Sequence, residues 1–209
     1  MKKNITILDY GSGNILSAMQ SFAKVIKNND LDADISISGN PKSIKNSSHL
    51  VMPGQGAFET CIMGLKNIPG MIEELNKYAL EQKKPFFGIC VGMQLLANNS
   101  EENGNHEGLG WVDGTIRKLP SKNIKMPHMG WNSIKILKNN FKITPKETDY
   151  YFVHSYYFDC KNKENILAET NYGLNFPSII CKENIYGFQF HPEKSSDQGL
   201  DIIKNFLKL

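Results

Sequence analysis

The sequence predicts an α/β fold: an open, mainly parallel sheet with helices on both faces, followed by a β-rich C-terminal half. Three observations predict it. Short apolar runs alternate with helix-period segments through the first hundred or so residues, the pattern of strands joined by crossover helices. Several of those runs end in glycine-rich turns. From Gly110 onward the helical period gives way to a succession of strand-like runs.

Taken in order, Ile5-Thr6-Ile7-Leu8 reads as a buried first strand. A glycine-broken turn, Gly11-Ser12-Gly13, leads into a helix whose apolar stripe is Met19, Phe22, Val25 and Ile26. Ile35-Ser36-Ile37 is a second strand, and Leu50-Val51-Met52 a third, closed by Pro53-Gly54. Helical patterns cover 57–65 and 71–83. The strand 86–89 then delivers Cys90, and another helix follows. Residues 101–105 form a polar loop. The β-rich half is expected to hold strands at 115–119, 133–137, 150–159, 166–170, 178–181 and 185–190. An amphipathic helix over 197–209 closes the chain, with Ile202, Ile203, Phe206 and Leu207 on its apolar side. No repeat, linker or low-complexity tail interrupts the pattern, so residues 1–209 are expected to form a single domain.

Composition narrows the function classes. The 209 residues carry a formal net charge of +3, and Arg117 is the only arginine among the 24 basic residues. Without arginine forks to grip phosphates or read base edges, no nucleic-acid partner is expected. No stretch is apolar enough to span a bilayer, and the opening Met1-Lys2-Lys3-Asn4 runs straight into a strand, too briefly for a signal peptide. No membrane partner and a cytoplasmic location are therefore expected. Cys61, Cys90, Cys160 and Cys181 lack Cys-x-x-Cys spacing and should stay reduced. Five scattered histidines show no tight ligand spacing, so no metal site is expected.

The most informative stretch is Gly88-Ile89-Cys90-Val91-Gly92-Met93-Gln94. A strand that turns abruptly into a helix forces its central residue into strained geometry and exposes that side chain, and only small neighbours permit it. Free backbone N–H groups and the positive end of the helix dipole then favour a thiolate and the oxyanion it creates. The plain alternative is a buried cysteine in a parallel strand. A base for the thiol stands far downstream in Phe190-His191-Pro192-Glu193-Lys194-Ser195. Residues i and i+2 of an extended segment share a side. Glu193 can therefore sit beside His191, fix its tautomer and stabilise the imidazolium while the other ring nitrogen takes the thiol proton. Alone, His-Pro-Glu is more often a turn; combined with the cysteine elbow it points to a triad.

These two motifs resemble the class I glutamine amidotransferases, whose triad glutaminases release ammonia for a partner synthase. Asp9-Tyr10-Gly11-Ser12-Gly13-Asn14, Pro53-Gly54-Gln55-Gly56-Ala57-Phe58, Pro127-His128-Met129-Gly130-Trp131-Asn132, Tyr151-Phe152-Val153-His154-Ser155-Tyr156 and His191-Pro192-Glu193-Lys194-Ser195 are similar to the family of glutaminase subunits of imidazole glycerol phosphate synthase, in histidine biosynthesis. The likeness spans almost the whole chain in order. It implies the flavodoxin-like amidotransferase fold, L-glutamine as substrate, a heterodimer with a (β/α)₈-barrel cyclase/synthase, and no cofactor.

Chemistry then distributes over named residues. Cys90 would attack the glutamine side-chain amide, His191 would shuttle the proton and Glu193 would orient His191. The backbone N–H of Val91, next after the nucleophile, is the natural first oxyanion donor. The resemblance assigns the second to the Gln55 N–H, in a turn where Gly54 and Gly56 let backbone approach the substrate; the alternative is an ordinary β-turn. The family's usual residue at Gln55 is apolar, a departure that leaves an N–H role intact. Gln94, one helical turn beyond Cys90, shares its face and could bond the amino-acid end of the substrate.

By resemblance, Glu102 meets the substrate ammonium and Ser155 and Tyr156 line the glutamine pocket, against the readings of a solvated loop carboxylate and a structural strand pair. His154, in an aromatic strand without an acidic partner at i+2, reads as a packed histidine. Asn14, Trp131 and Lys194 would face the partner; for Trp131 the alternative is a turn with a buried indole. Three further functional readings stay open. One is a paralogous subunit supplying ammonia for surface-sugar amidation, with an identical triad. Another is a non-catalytic scaffold, and the third a γ-glutamyl or cysteine hydrolase.

Overall fold

The computed structural model of the protein describes residues 2–120, 122, 124–139, 142–143 and 145–209; of the segments singled out above, only Met1 lies outside them. The alternating half folds as expected: β1 (Lys3–Leu8), α1 (Ile15–Asn28), β2 (Ala33–Ser38), α2 (Pro41–Asn46), β3 (His49–Gly54), α3 (Phe58–Lys66), α4 (Met71–Asn76), β4 (Phe86–Cys90) and α5 (Val91–Gln94). Helix α4 continues through a π-helical turn at Lys77–Glu81. The β-rich half follows as β5 (Asn99–Ser100), β6 (His106–Glu107), β7 (Gly114–Lys118), β8 (His128–Ser133), β9 (Lys135–Ile136), β10 (Asp149–His154), β11 (Tyr156–Cys160), β12 (Ile166–Asn171), β13 (Asn175–Lys182) and β14 (Ile185–Phe188), with α6 (Ser196–Leu207) last.

One eight-stranded sheet organises the described residues, in the order β2-β1-β3-β4-β14-β13-β12-β9. The pairs β1–β2, β1–β3, β3–β4 and β4–β14 are parallel. The remaining pairs, β14–β13, β13–β12 and β12–β9, are antiparallel, so the parallel sheet is completed by strands from the β-rich half. Strands β3 and β4 are buried along their whole length, as central strands covered on both faces must be. Phe22, Phe87, Phe188 and Phe206 pack together in the layer that α1 and α6 lay over the sheet. Because β1, β3 and β4 are parallel neighbours, the three glycine-rich turns at their carboxyl ends share one rim, where ligands of such sheets bind.

Two expectations are corrected, and two helices gain definition that the sequence did not supply. Helix α2 was not foreseen; its signals are local, an Asn40 side chain that accepts the Lys42 N–H and Pro41 at the first helical position, without an apolar stripe long enough to read. The helix after Cys90 is only Val91–Gln94. The run 133–137 is not one strand: β8 ends at Ser133 and β9 pairs with β12 instead. The run 150–159 breaks at Ser155, β10 pairing with β8 and β11 with β7 in a separate sheet. Its unbroken aromatic sequence carries no glycine or proline to mark that change of sheet.

Candidate active site

Cys90 ends β4 with φ 54° and ψ −111°, a left-handed strained conformation that a residue with a side chain keeps only under surrounding constraint. Three glycines impose it. Gly54 pairs with Cys90 across β3 and β4. A Cβ on Gly54 would lie 2.5 Å from the Gly92 nitrogen, and one on Gly88 2.7 Å from the Gly92 carbonyl oxygen. A Cβ on Gly92 itself would collide with the Met52 carbonyl oxygen. The elbow is thus three backbones in contact. Gly92→Ala is expected to destabilise the protein by about 1–3 kcal/mol or more, read as a lower denaturation midpoint; an unchanged midpoint would show that the turn is looser than this packing.

His191 and Glu193 form the second half of the site. His191 Nδ1 lies 2.8 Å from Glu193 Oε1, both side chains almost fully buried. The same carboxylate oxygen accepts the Asn14 amide N–H at 2.8 Å, and the Ser21 hydroxyl donates to the Glu193 carbonyl at 3.3 Å. The Ser195 hydroxyl donates to the His191 carbonyl at 2.7 Å and accepts the Tyr151 N–H at 3.0 Å, while the His191 N–H donates to the Tyr151 carbonyl. The ring is therefore held from β10 and from the start of α1. Its Nε2 is buried without a hydrogen-bond partner among the described residues, free to take a proton. Burial pulls the His191 pKa down, but its neighbours Cys90 and then Glu193 outweigh it and raise it to about 10. The arrangement favours an imidazolium at His191.

Between the two halves opens a cavity of about 250 Å³, bordered by Cys90, His191, Gln94, Glu102, Ser155 and Tyr156. Val91, Gln55 and Gly56 also border it. Gln94 donates its amide N–H to the Tyr156 carbonyl at 2.9 Å and to Gln189 Oε1 at 3.1 Å, leaving its own carbonyl oxygen for a ligand. Glu102 accepts the Phe58 N–H at the start of α3 through Oε2, at 2.8 Å.

The Gln55 N–H, expected to serve an oxyanion, instead donates to the Ser12 hydroxyl at 2.9 Å. In a trans peptide N–H and C=O point oppositely, so the 54–55 peptide plane presents no N–H to the cavity in this conformation. Gly54 does not border the cavity; it acts beneath it, packed on Val91 and Gly92. Of the three residues assigned to a partner surface, Trp131 is half exposed and Lys194 is exposed. Asn14 departs from that expectation, its amide turned inward onto Glu193. His154 is buried as expected, yet it also borders the cavity.

Three contributors were not singled out from sequence. Gln189 donates from Nε2 toward Cys90 Sγ at 3.8 Å; its i−2 position from His191 in an extended segment was the available signal. Ser12 sits in a turn already placed on the rim. Val153, whose carbonyl lies 3.8 Å from Cys90 Sγ, carried none.

A strained cysteine at a strand–helix elbow and a buried His–Glu pair, bordering one small cavity, are the constellation of a cysteine-dependent acyl-transfer hydrolase. Comparison with known proteins makes the class specific. The family model "Glutamine amidotransferase class-I" matches residues 6–209. A protein of Pelagibacter ubique described as imidazole glycerol phosphate synthase subunit HisH is 43% identical over 210 residues, covering 99% of this chain and 100% of the relative. The HisH subunit of Rhodospirillum rubrum is 40% identical with 98% of each chain covered. That of Neisseria meningitidis serogroup B is 43% identical with 96% and 97% covered. A crystal structure of a glutamine amidotransferase superimposes with a TM-score of 0.74 at 16% identity, covering 98% of this chain and 97% of the other, a likeness of fold. The chain belongs to the class I glutamine amidotransferases and, within them, to the HisH family of glutaminase subunits of imidazole glycerol phosphate synthase.

Proposed function

We propose that this chain hydrolyses L-glutamine to glutamate and ammonia through a thioester on Cys90, with His191 as base and acid and Glu193 orienting it, and passes the ammonia to a (β/α)₈-barrel cyclase subunit in the cytoplasm. The observation that carries the reading is the Cys90 elbow sharing one cavity with a buried His191–Glu193 pair, whose Nε2 has no hydrogen-bond partner among the described residues. The thiolate adds to the side-chain amide carbon, and the negative charge moves to the amide oxygen. Imidazolium returns its proton to the departing amine, the carbon–nitrogen bond breaks, and a thioester remains. His191 then deprotonates a water that attacks the thioester; the carbon–sulfur bond breaks and releases glutamate.

In this assignment Gln94 Oε1 and the free oxygen of Glu102 receive the substrate ammonium, while Ser155, Tyr156 and Gly56 line its path. Val91 N–H serves the oxyanion as the elbow stands. Gln55 N–H serves it only after the 54–55 peptide rotates away from Ser12, which Gly54 and Gly56 permit. Trp131 and Lys194 belong to the surface that meets the partner, together with exposed Leu16 and Met129, and Asn14 links that surface to the triad. The surface-sugar alternative is not favoured, because the relatives above are histidine-pathway subunits.

Glutamate release from glutamine, measured with and without the barrel subunit and its ribonucleotide ligand, tests the reading. Low activity alone and high activity in the complex are expected; activity that ignores this partner would assign the chain elsewhere. Ser12→Ala adds a sharper arm. It removes the acceptor that holds the Gln55 N–H, and since one oxyanion donor is worth about 10²–10³ in rate, partial occupancy of the rotated peptide should raise partner-free activity several-fold. No increase would mean that Ser12 is not what holds the peptide.

A further inference from the structure

In the cavity wall, through His154, lies a buried pair of histidines that the triad does not use. His128 Nδ1 is 2.9 Å from His154 Nε2, directly across the β8–β10 ladder. Both rings are buried, His128 stacked between Phe152 and Tyr172 and His154 edge-on to Phe176.

The direction of every hydrogen bond in this group is decided by its ends. His154 Nδ1 is 2.8 Å from the Tyr156 carbonyl, which only accepts, so Nδ1 carries the proton. A neutral His154 then has a bare Nε2, and His128 must donate to it from Nδ1. That leaves His128 Nε2 bare, facing the Asn132 amide nitrogen at 3.1 Å. The orientation of that amide is set by backbone: its oxygen accepts the Ser133 N–H at 2.9 Å and its nitrogen also donates to the Asn171 carbonyl at 3.1 Å. Burial lowers the pKa of His128 to about 4 and, against the Tyr156 carbonyl bond that raises it, that of His154 to about 3. Both rings stay neutral, and the chain runs one way from Asn132 to Tyr156.

Its terminus matters because of where it falls. Ser155 separates β10 from β11, and the two strands leave for different sheets; the His154–Tyr156 bond spans that break. The Tyr156 carbonyl is also the acceptor that orients Gln94, which bonds Gln189 beside Cys90. We propose that the His128–His154 pair is a positioning device for the amino-acid substrate, presetting the cavity wall at 153–156 and the Gln94 side chain and so governing glutamine affinity rather than the chemical step. The proposal rests on the glutaminase reading above.

Two measurements test it, with the complete chain in complex with its partner. Nitrogen-15 NMR of the histidine rings is expected to show His128 and His154 neutral near pH 7 with the proton on Nδ1, opposite to the tautomer that free histidine prefers. A charged ring, or a proton on Nε2 of either, overturns the proposal and needs no variant to fold. In steady-state assays His154→Leu should raise the glutamine KM about 10-fold, the scale of a buried carbonyl losing its donor, with kcat changed less than about threefold. His154→Asn, whose amide nitrogen falls near the place of Nδ1, should recover most of that loss. An unchanged KM in the leucine variant, or a fall confined to kcat, overturns the proposal. Absence of glutamine turnover in the wild-type complex would instead overturn the functional reading and leave the tautomer result standing.

Discussion

Cys90→Ala is expected to reduce glutamine hydrolysis by about 10⁴-fold or more, the scale on which a triad enzyme loses its nucleophile. The size follows from the absence of a substitute. Among the described cysteines only Cys90 borders the cavity. Burial holds the Cys61 and Cys160 thiols above their ordinary pKa, and pushes Cys181 up to about 12. Cys61, the nearest to the rim, instead donates its S–H toward the Gln55 carbonyl at 3.7 Å. The variant should fold as well as the wild type, since alanine keeps the Cβ that the elbow already accommodates. Iodoacetamide should accordingly alkylate one thiol in the native wild type and none in the variant. Residual turnover above about one per cent of wild type, against the 10⁴-fold loss expected of a missing nucleophile, would place the nucleophile elsewhere.

How much of this was legible beforehand depended on distance along the chain. The elbow was legible because Gly88, Cys90 and Gly92 are neighbours, and the strain they impose is local. The His191–Glu193 pair was legible for the same reason, at a spacing of two in an extended segment. The shared rim followed from one topological rule for parallel strands. Contacts between distant segments were not legible. Nothing in Asn14 announces that its amide meets a carboxylate from the far end of the chain, because an αL residue before a helix is satisfied equally well by solvent. Ser12 was visible as part of a turn but not as the acceptor that captures Gln55 N–H, which depends on how two βα turns face each other. The split at Ser155 was hidden by its own residues. Tyr, Phe and Val favour strand on both sides of it, and what separates the halves is partner choice, with β8 and β7 competing for one continuous run. His154 was rightly seen as packed, but packing against His128 gave it a hydrogen-bonding task that residue type alone does not show.

Glu193 carries the second large effect, and its surroundings allow orientation and charge to be separated. His191 Nδ1 and Asn14 Nδ2 both donate to one oxygen, Oε1. In Glu193→Gln the amide can turn its single oxygen to the same place, so both donors remain satisfied and the histidine keeps its Nδ1–H tautomer. What is lost is the negative charge that helps to hold the imidazolium. Glu193→Leu removes both, leaving a buried ring free to rotate or change tautomer. The expected losses in kcat/KM are therefore unequal: about 10⁴-fold for leucine, the scale of a triad with its histidine misaligned, and about 10–10²-fold for glutamine, the scale of losing a charge-assisted partner. Because Glu193 is among the groups that raise His191, the glutamine variant should also show the basic limb of its pH–rate profile at lower pH than wild type, the imidazolium losing its proton sooner. Asn14→Ala in the wild-type background should fall between the two extremes in neither respect: it leaves charge and tautomer in place, removes one of two donors from Oε1, and should cost less than Glu193→Gln. Equal losses for Gln and Leu would mean that the charge, and not the orientation, is what Glu193 supplies.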